Sequence, residues 1–212
     1  MSTTIRDPAA LLETIQQSNR FVIQQVFKPI ANEYRISAPP AGSEEGEPLL
    51  FVKQKKLKIK EDIRFRLSPD DEAHLFMIKS KTVFEFRGRH EVLDANGAAV
   101  GLLEKVFGAS LLRSHWRVRD AEGNELFESH EASWVIALVR RFADLGPDWL
   151  APLQWLPFNF VLKRGDEQVG TYRRVLGKFR DRYVLELGEG LQDADRRLVL
   201  AFAVALDALQ DR

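Results

Sequence analysis

The run Leu198-Val199-Leu200-Ala201-Phe202-Ala203-Val204-Ala205-Leu206 constrains the fold more than any other part of this chain. Its alanines favour helix and disfavour strand. On a helix these residues are apolar at every angle, so no face is left for water and the rest of the chain must surround it. The run lies between Arg197 and Asp207 and is far shorter than the ~20 apolar residues that span a bilayer.

What surrounds it is written in period two. From Leu49 onward, Leu57 and Ile59 alternate with Lys56, Lys58 and Lys60, and Ile63, Phe65 and Leu67 alternate with Arg64 and Arg66. Such alternation marks half-buried strands. Turn chemistry recurs at Ser68-Pro69-Asp70-Asp71, Asp94-Ala95-Asn96-Gly97, Asp120-Ala121-Glu122-Gly123 and Arg164-Gly165-Asp166-Glu167, so the chain reads as a series of hairpins. Asp94 and Asp120 occupy matched turn openings and are expected to bind backbone amides rather than act as acids. Gly97 and Gly123 close the same turns where a positive φ is needed. A hairpin-rich chain with one wholly apolar helix is most economically a sheet curled around that helix.

Elsewhere, Asp7-Pro8 predicts a capped opening helix with Leu11, Leu12 and Ile15 on one face. Residues 37–48 combine proline, glycine and glutamate without an apolar period and read as a mobile surface loop. Ser133–Leu145 suits either a helix closed by Gly146-Pro147 or a strand through Trp134-Val135-Ile136, and both remain open. Residues 1–29 are read as helix and lead-in, and 30–212 as one domain, the size expected for a 212-residue chain that is 45% hydrophobic. The N-terminus has no basic region followed by an apolar run, so no signal peptide is expected.

Several motifs together resemble the LURP-one-related and phospholipid-scramblase-like branch of the tubby C-terminal-like superfamily. They are Tyr34 to Ile36, Phe51-Val52-Lys53-Gln54-Lys55, the repeated Val-x-Asp-x-x-Gly turns, and Phe160-Val161-Leu162-Lys163 through Gln168-Val169-Gly170 and Gly177. Asp193-Ala194-Asp195-Arg196-Arg197 leading into the apolar helix completes the set. The resemblance covers roughly residues 30–210 and implies a closed antiparallel β-barrel of about twelve strands around a buried C-terminal helix. It also implies a binding role, since the superfamily includes phosphoinositide-binding proteins and proteins assigned to lipid scrambling. Scramblase relatives carry an acidic calcium segment before the last helix. Glu186, Glu189, Asp193 and Asp195 lack the alternating ligand spacing of a calcium loop, so calcium is not expected.

Composition and motifs narrow the chemistry. Lys plus Arg equals Asp plus Glu at 31 each, so no whole-molecule field favours nucleic acid. The chain has no cysteine, which removes thiolate chemistry and disulfides and fits a reducing, cytoplasmic compartment. His74, His90, His115 and His130 form no HxH or HxxxH pair, so no metal site is expected. Ser110 lacks a nucleophile elbow and phosphate-cradling glycine loops are absent, so neither catalytic residues nor a cofactor is assigned.

Two surfaces remain as binding candidates. If Lys60-Glu61-Asp62 forms a turn, Lys58 faces Arg64 and Lys56 faces Arg66 on the solvent side, an outward basic face to which Arg173 and Arg174 could add. Its counter-reading is a solvated face neutralised by Glu44, Glu45 and Glu47. Trp149, Trp155 and Phe158 lie in a proline-broken apolar segment, read as a cover for a barrel end or as a patch for a membrane or protein partner. The expectation is a non-enzymatic binding protein, peripheral to a membrane, that recognises anionic phospholipid headgroups. A protein-interaction scaffold is the alternative, and an enzyme with an unrecognised site ranks last.

Overall fold

The computed structural model describes residues 7–27, 31–43, 45–55, 62–80, 88–106, 115–131, 159–175 and 182–209. Among the described residues a helix α1 (Pro8–Gln17) precedes twelve strands and a final helix. The strands are β1 (Arg20–Phe27), β2 (Ala31–Ser37), β3 (Leu50–Lys55), β4 (Asp62–Arg66), β5 (Phe76–Ser80), β6 (Arg89–Asp94), β7 (Ala99–Val106), β8 (His115–Asp120), β9 (Glu125–Glu131), β10 (Asn159–Arg164), β11 (Glu167–Val175) and β12 (Arg182–Leu187). The last helix is α2 (Arg196–Ala208).

Each strand pairs antiparallel with its sequence neighbours, and β1 pairs with β12 to close the barrel. Closure pairs each of the described strands on both edges. The expected barrel is therefore present, but it begins at Arg20 rather than at residue 30: the segment read as lead-in contains β1, the closing strand. Its pattern Phe21-Val22-Ile23 is apolar without alternation, which hides a strand from a period-two search. Val22 points outward beside Val184 and Ser37, yet it is only 3% exposed. Residues of the loop after β2 lie near it, since Val22 lines one cleft with Glu45, Gly46 and Pro48. Pro39 is buried, and Arg20 Nη1 donates to the carbonyl oxygens of Pro39, Pro40 and Ser43, the last at 2.6 Å.

The inward faces converge on α2. Every residue from Leu198 to Leu206 is fully buried, as the all-round apolar pattern requires. Phe202 meets Phe127 edge to face, with ring centroids 5.2 Å apart. Asp195 caps the helix by accepting from the Arg197 amide at 2.8 Å and holds the Arg197 guanidinium as well. Between these two residues, Arg196 is buried and donates to the carbonyls of Ser18, Leu191 and Ala194 and to Asn19 Oδ1. Gln16 of α1 completes the seam, donating to Ala194 O and accepting from Arg196 N. Among the described residues no helix is long and apolar enough to cross a membrane.

The repeated turns behave as their sequences demand. Gly97 and Gly123 have φ of 84° and 89°. Asp94 Oδ1 accepts from the amides of Asn96 and Ala98, and Asp120 Oδ1 accepts from that of Asn124. Ser133–Leu145, together with Trp149, Trp155 and Phe158, lies outside the described residues.

Candidate functional site

Strand alternation decides which basic residues share a surface. On β4, Ile63 and Phe65 enter the core, so Asp62, Arg64 and Arg66 face outward. The β3–β4 register differs from the expected one: Lys53 lies opposite Arg64, and Phe51 opposite Arg66. A short turn at Lys60-Glu61-Asp62 would have required Lys58 and Lys56 at those positions. The observed register excludes those pairings; β3 is described as far as Lys55 and β4 from Asp62. Lys56 and Lys58 lie outside the described residues.

Arg173 and Arg174 do not act together, because adjacent strand residues face opposite ways. Arg173 is outward and exposed, 3.9 Å from Glu186. Arg174 pairs with Tyr183 on the inner face and shares that face with Tyr172. Its inclusion in an outward basic face is therefore incorrect.

The registers bring together arginines that sequence reasoning did not connect. Arg182 pairs with Gln24, Gln24 with Arg35, Arg35 with Phe51, and Phe51 with Arg66. One transverse row across β12, β1, β2, β3 and β4 thus carries three outward arginines on alternate strands. Arg182 and Arg35 also line a cleft of about 210 Å³ with Val22, Gln24, Ser37 and Glu45. Among the described residues none forms an ion pair or hydrogen bond with the guanidinium of Arg35 or Arg182. Arg66 Nε is shielded from solvent and has no hydrogen-bond partner among the described residues.

Lys53 and Arg64 stand in the adjoining row, where Asp62 offsets part of the charge at 3.6 Å from Arg64. The positive field is felt by His74. Burial and then the charges of Arg64 and Arg66 hold its imidazole below the ordinary histidine range, against an opposing pull from Asp62. Arg35 and Arg182 were missed because their proximity depends on barrel closure, which places Gln24 of β1 between them. No local sequence pattern encodes that neighbourhood.

A second cluster lies on the outer face of the β8–β9 hairpin. His115 and His130 are direct cross-strand partners with stacked rings, centroids 4.2 Å apart. Glu128, two residues before His130 on the same face, places Oε2 3.2 Å from His115 Nε2 and 3.4 Å from His130 Nε2. Arg117, opposite Glu128, holds the other carboxylate oxygen at 2.6 Å and also pairs with Glu125. Burial raises the Glu128 pKa, but the Arg117 hydrogen bond and the charges of His115 and Arg117 outweigh it and leave a net lowering. The expectation that the histidines would not converge rested on spacing along one strand. The turn at Asp120-Gly123 carried the missing signal, since folding the chain there sets His115 beside His130.

A comparison with curated proteins returns no match. The family model described as LURP-one-related matches residues 49–207, from β3 to the last turns of α2. That span covers most of the barrel and its central helix, and the chain belongs to the LURP-one-related family.

Proposed function

We propose that this barrel is a non-catalytic binding module whose arginine row takes the phosphorylated headgroups of anionic lipids at a membrane surface. The observation that carries the reading is the register of Arg182, Arg35 and Arg66 on one outward row. Strands lie about 4.8 Å apart, so side chains on alternate strands are spaced about 10 Å, which suits several headgroups better than one phosphate. Arginine's planar fork matches phosphate oxygens in pairs. Because α2 fills the interior, ligand contact falls to the outer surface. Family membership supports a binding role at a coarser level.

Each basic side chain near an anionic membrane contributes roughly 1 kcal/mol, and the effect decays over about 8 Å at physiological ionic strength. Flotation with phosphatidylserine vesicles and with phosphatidylcholine vesicles, each at low and high salt, tests the reading. Salt-sensitive flotation with the anionic vesicles alone is expected. Failure to float with either would overturn the proposal and favour a protein-interaction scaffold.

A further inference from the structure

We propose that His115, Glu128 and His130 form a three-ligand site for a divalent transition-metal ion of the zinc class, on the outer face of the β8–β9 hairpin. Three observations converge on it. The ligand atoms of all three residues lie within 4.8 Å of one another. An ion bound tetrahedrally at about 2.0–2.1 Å holds its ligand atoms about 3.4 Å apart. The two carboxylate-to-imidazole separations, 3.2 and 3.4 Å, already match that edge.

The second observation is an unsatisfied atom. His115 Nε2 is shielded from solvent and, although 3.2 Å from Glu128 Oε2, makes no hydrogen bond of acceptable geometry among the described residues. A buried polar nitrogen without a partner costs free energy, and a metal ion between the two rings and the carboxylate would satisfy it. The third is orientation. Arg117 occupies Glu128 Oε1, at 2.6 Å, and so presents Oε2 to both imidazoles. Partners that fix the direction of a ligating carboxylate are a regular part of metal sites.

The chemistry suits imidazole-seeking ions rather than calcium or magnesium, which prefer all-oxygen shells. His130 is available as a neutral ligand. Burial and then the charge of His115 lower its pKa, with Glu128 pulling the other way and Lys163 adding to the lowering. The side chains are 24%, 23% and 40% exposed for His115, Glu128 and His130, which leaves the fourth coordination position open to water or to a ligand from a partner. Arg117 and Lys163 add positive charge nearby, partly offset by Glu125, so affinity should be moderate.

Titration of the tag-free full chain with Co²⁺ alone, followed by displacement with Zn²⁺, tests the site. The expected result is one Co²⁺ per chain, with the visible absorption of a low-symmetry His/carboxylate complex that Zn²⁺ removes. His130→Gln and Glu128→Gln should each weaken binding at least tenfold, and His130→Gln should leave the metal-free melt nearly unchanged, since that side chain faces outward and is 40% exposed. Binding in the parent should also fall as pH drops and protons compete for the imidazoles. Absence of a cobalt spectrum in the parent, or an affinity in both variants equal to the parent's, would overturn the proposal. Vesicle flotation by the arginine row involves none of these residues, so either proposal can fail alone.

Discussion

Tyr183 donates its hydroxyl to Asp207 Oδ1 across 2.5 Å, tying β12 to the last turn of the buried helix. Tyr34 on β2 donates to the other oxygen of the same carboxylate at 2.7 Å. These two strands flank β1, so one aspartate on α2 links the neighbours of the closing strand. Hydrogen bonds to a charged group contribute about 1.5–3 kcal/mol each. Tyr183→Phe should therefore lower stability by about 2 kcal/mol in urea denaturation, and the Tyr34→Phe, Tyr183→Phe double variant should lose more than either single change.

Phe202 sits at the centre of the helix and against Phe127. Phe202→Ala should cost about 3–5 kcal/mol through lost burial and the cavity left behind. Phe202→Asp should remove the cooperative thermal transition altogether, because a buried unpaired carboxylate costs several kcal/mol, comparable with a whole domain's stability of about 5–15. A Phe202→Asp protein with the parent's melting curve would contradict the central position of α2.

Two glycines on β7 and its preceding turn should respond differently to alanine. Gly97 has φ of 84° with nothing near the position of a Cβ, so its penalty is backbone strain alone, about 1–2 kcal/mol. At Gly101 a Cβ would press on the Arg119 carbonyl and lie 2.8 Å from Leu198 Cδ2. That contact forces β7 away from both β8 and α2. Gly101→Ala should be the more destabilising of the two by calorimetry, although only Gly97 has the left-handed backbone.

Acid should weaken the fold through His90. Burial, and then the nearby charge of Lys105, push its imidazole down to about 4 from the ordinary 6.5. Between those two values the unfolded chain takes up a proton that the folded chain refuses, so stability is full above 6.5 and declines as pH falls toward 4. The loss amounts to a few kcal/mol at most. His74 and His130 are lowered in the same direction and add to the slope. Denaturation midpoints measured across this range should fall less steeply for His90→Gln than for the parent.

The sequence disclosed the parts of the fold that local chemistry controls. The capped opening helix, the Asp-x-x-Gly turns and the enclosed final helix each follow from residue type and short-range spacing. β1 escaped because its outward residue Val22 is apolar and buried, which erases the alternation. The functional surfaces depend on pairings between distant segments. Arg35 and Arg182 become neighbours only through Gln24, and His115 meets His130 only across a hairpin. The separation of Arg173 from Arg174, by contrast, was available from strand alternation alone.

The claim that one outward row recognises anionic headgroups is tested most directly by changing Arg35, Arg66 and Arg182 to glutamine together. Affinity for phosphatidylserine vesicles at low salt should fall at least tenfold, and the residual binding should lose most of its salt dependence. The melt should stay close to the parent's, since outward charges contribute little to stability. A triple variant that binds these vesicles as tightly as the parent, with the same salt dependence, would contradict the account.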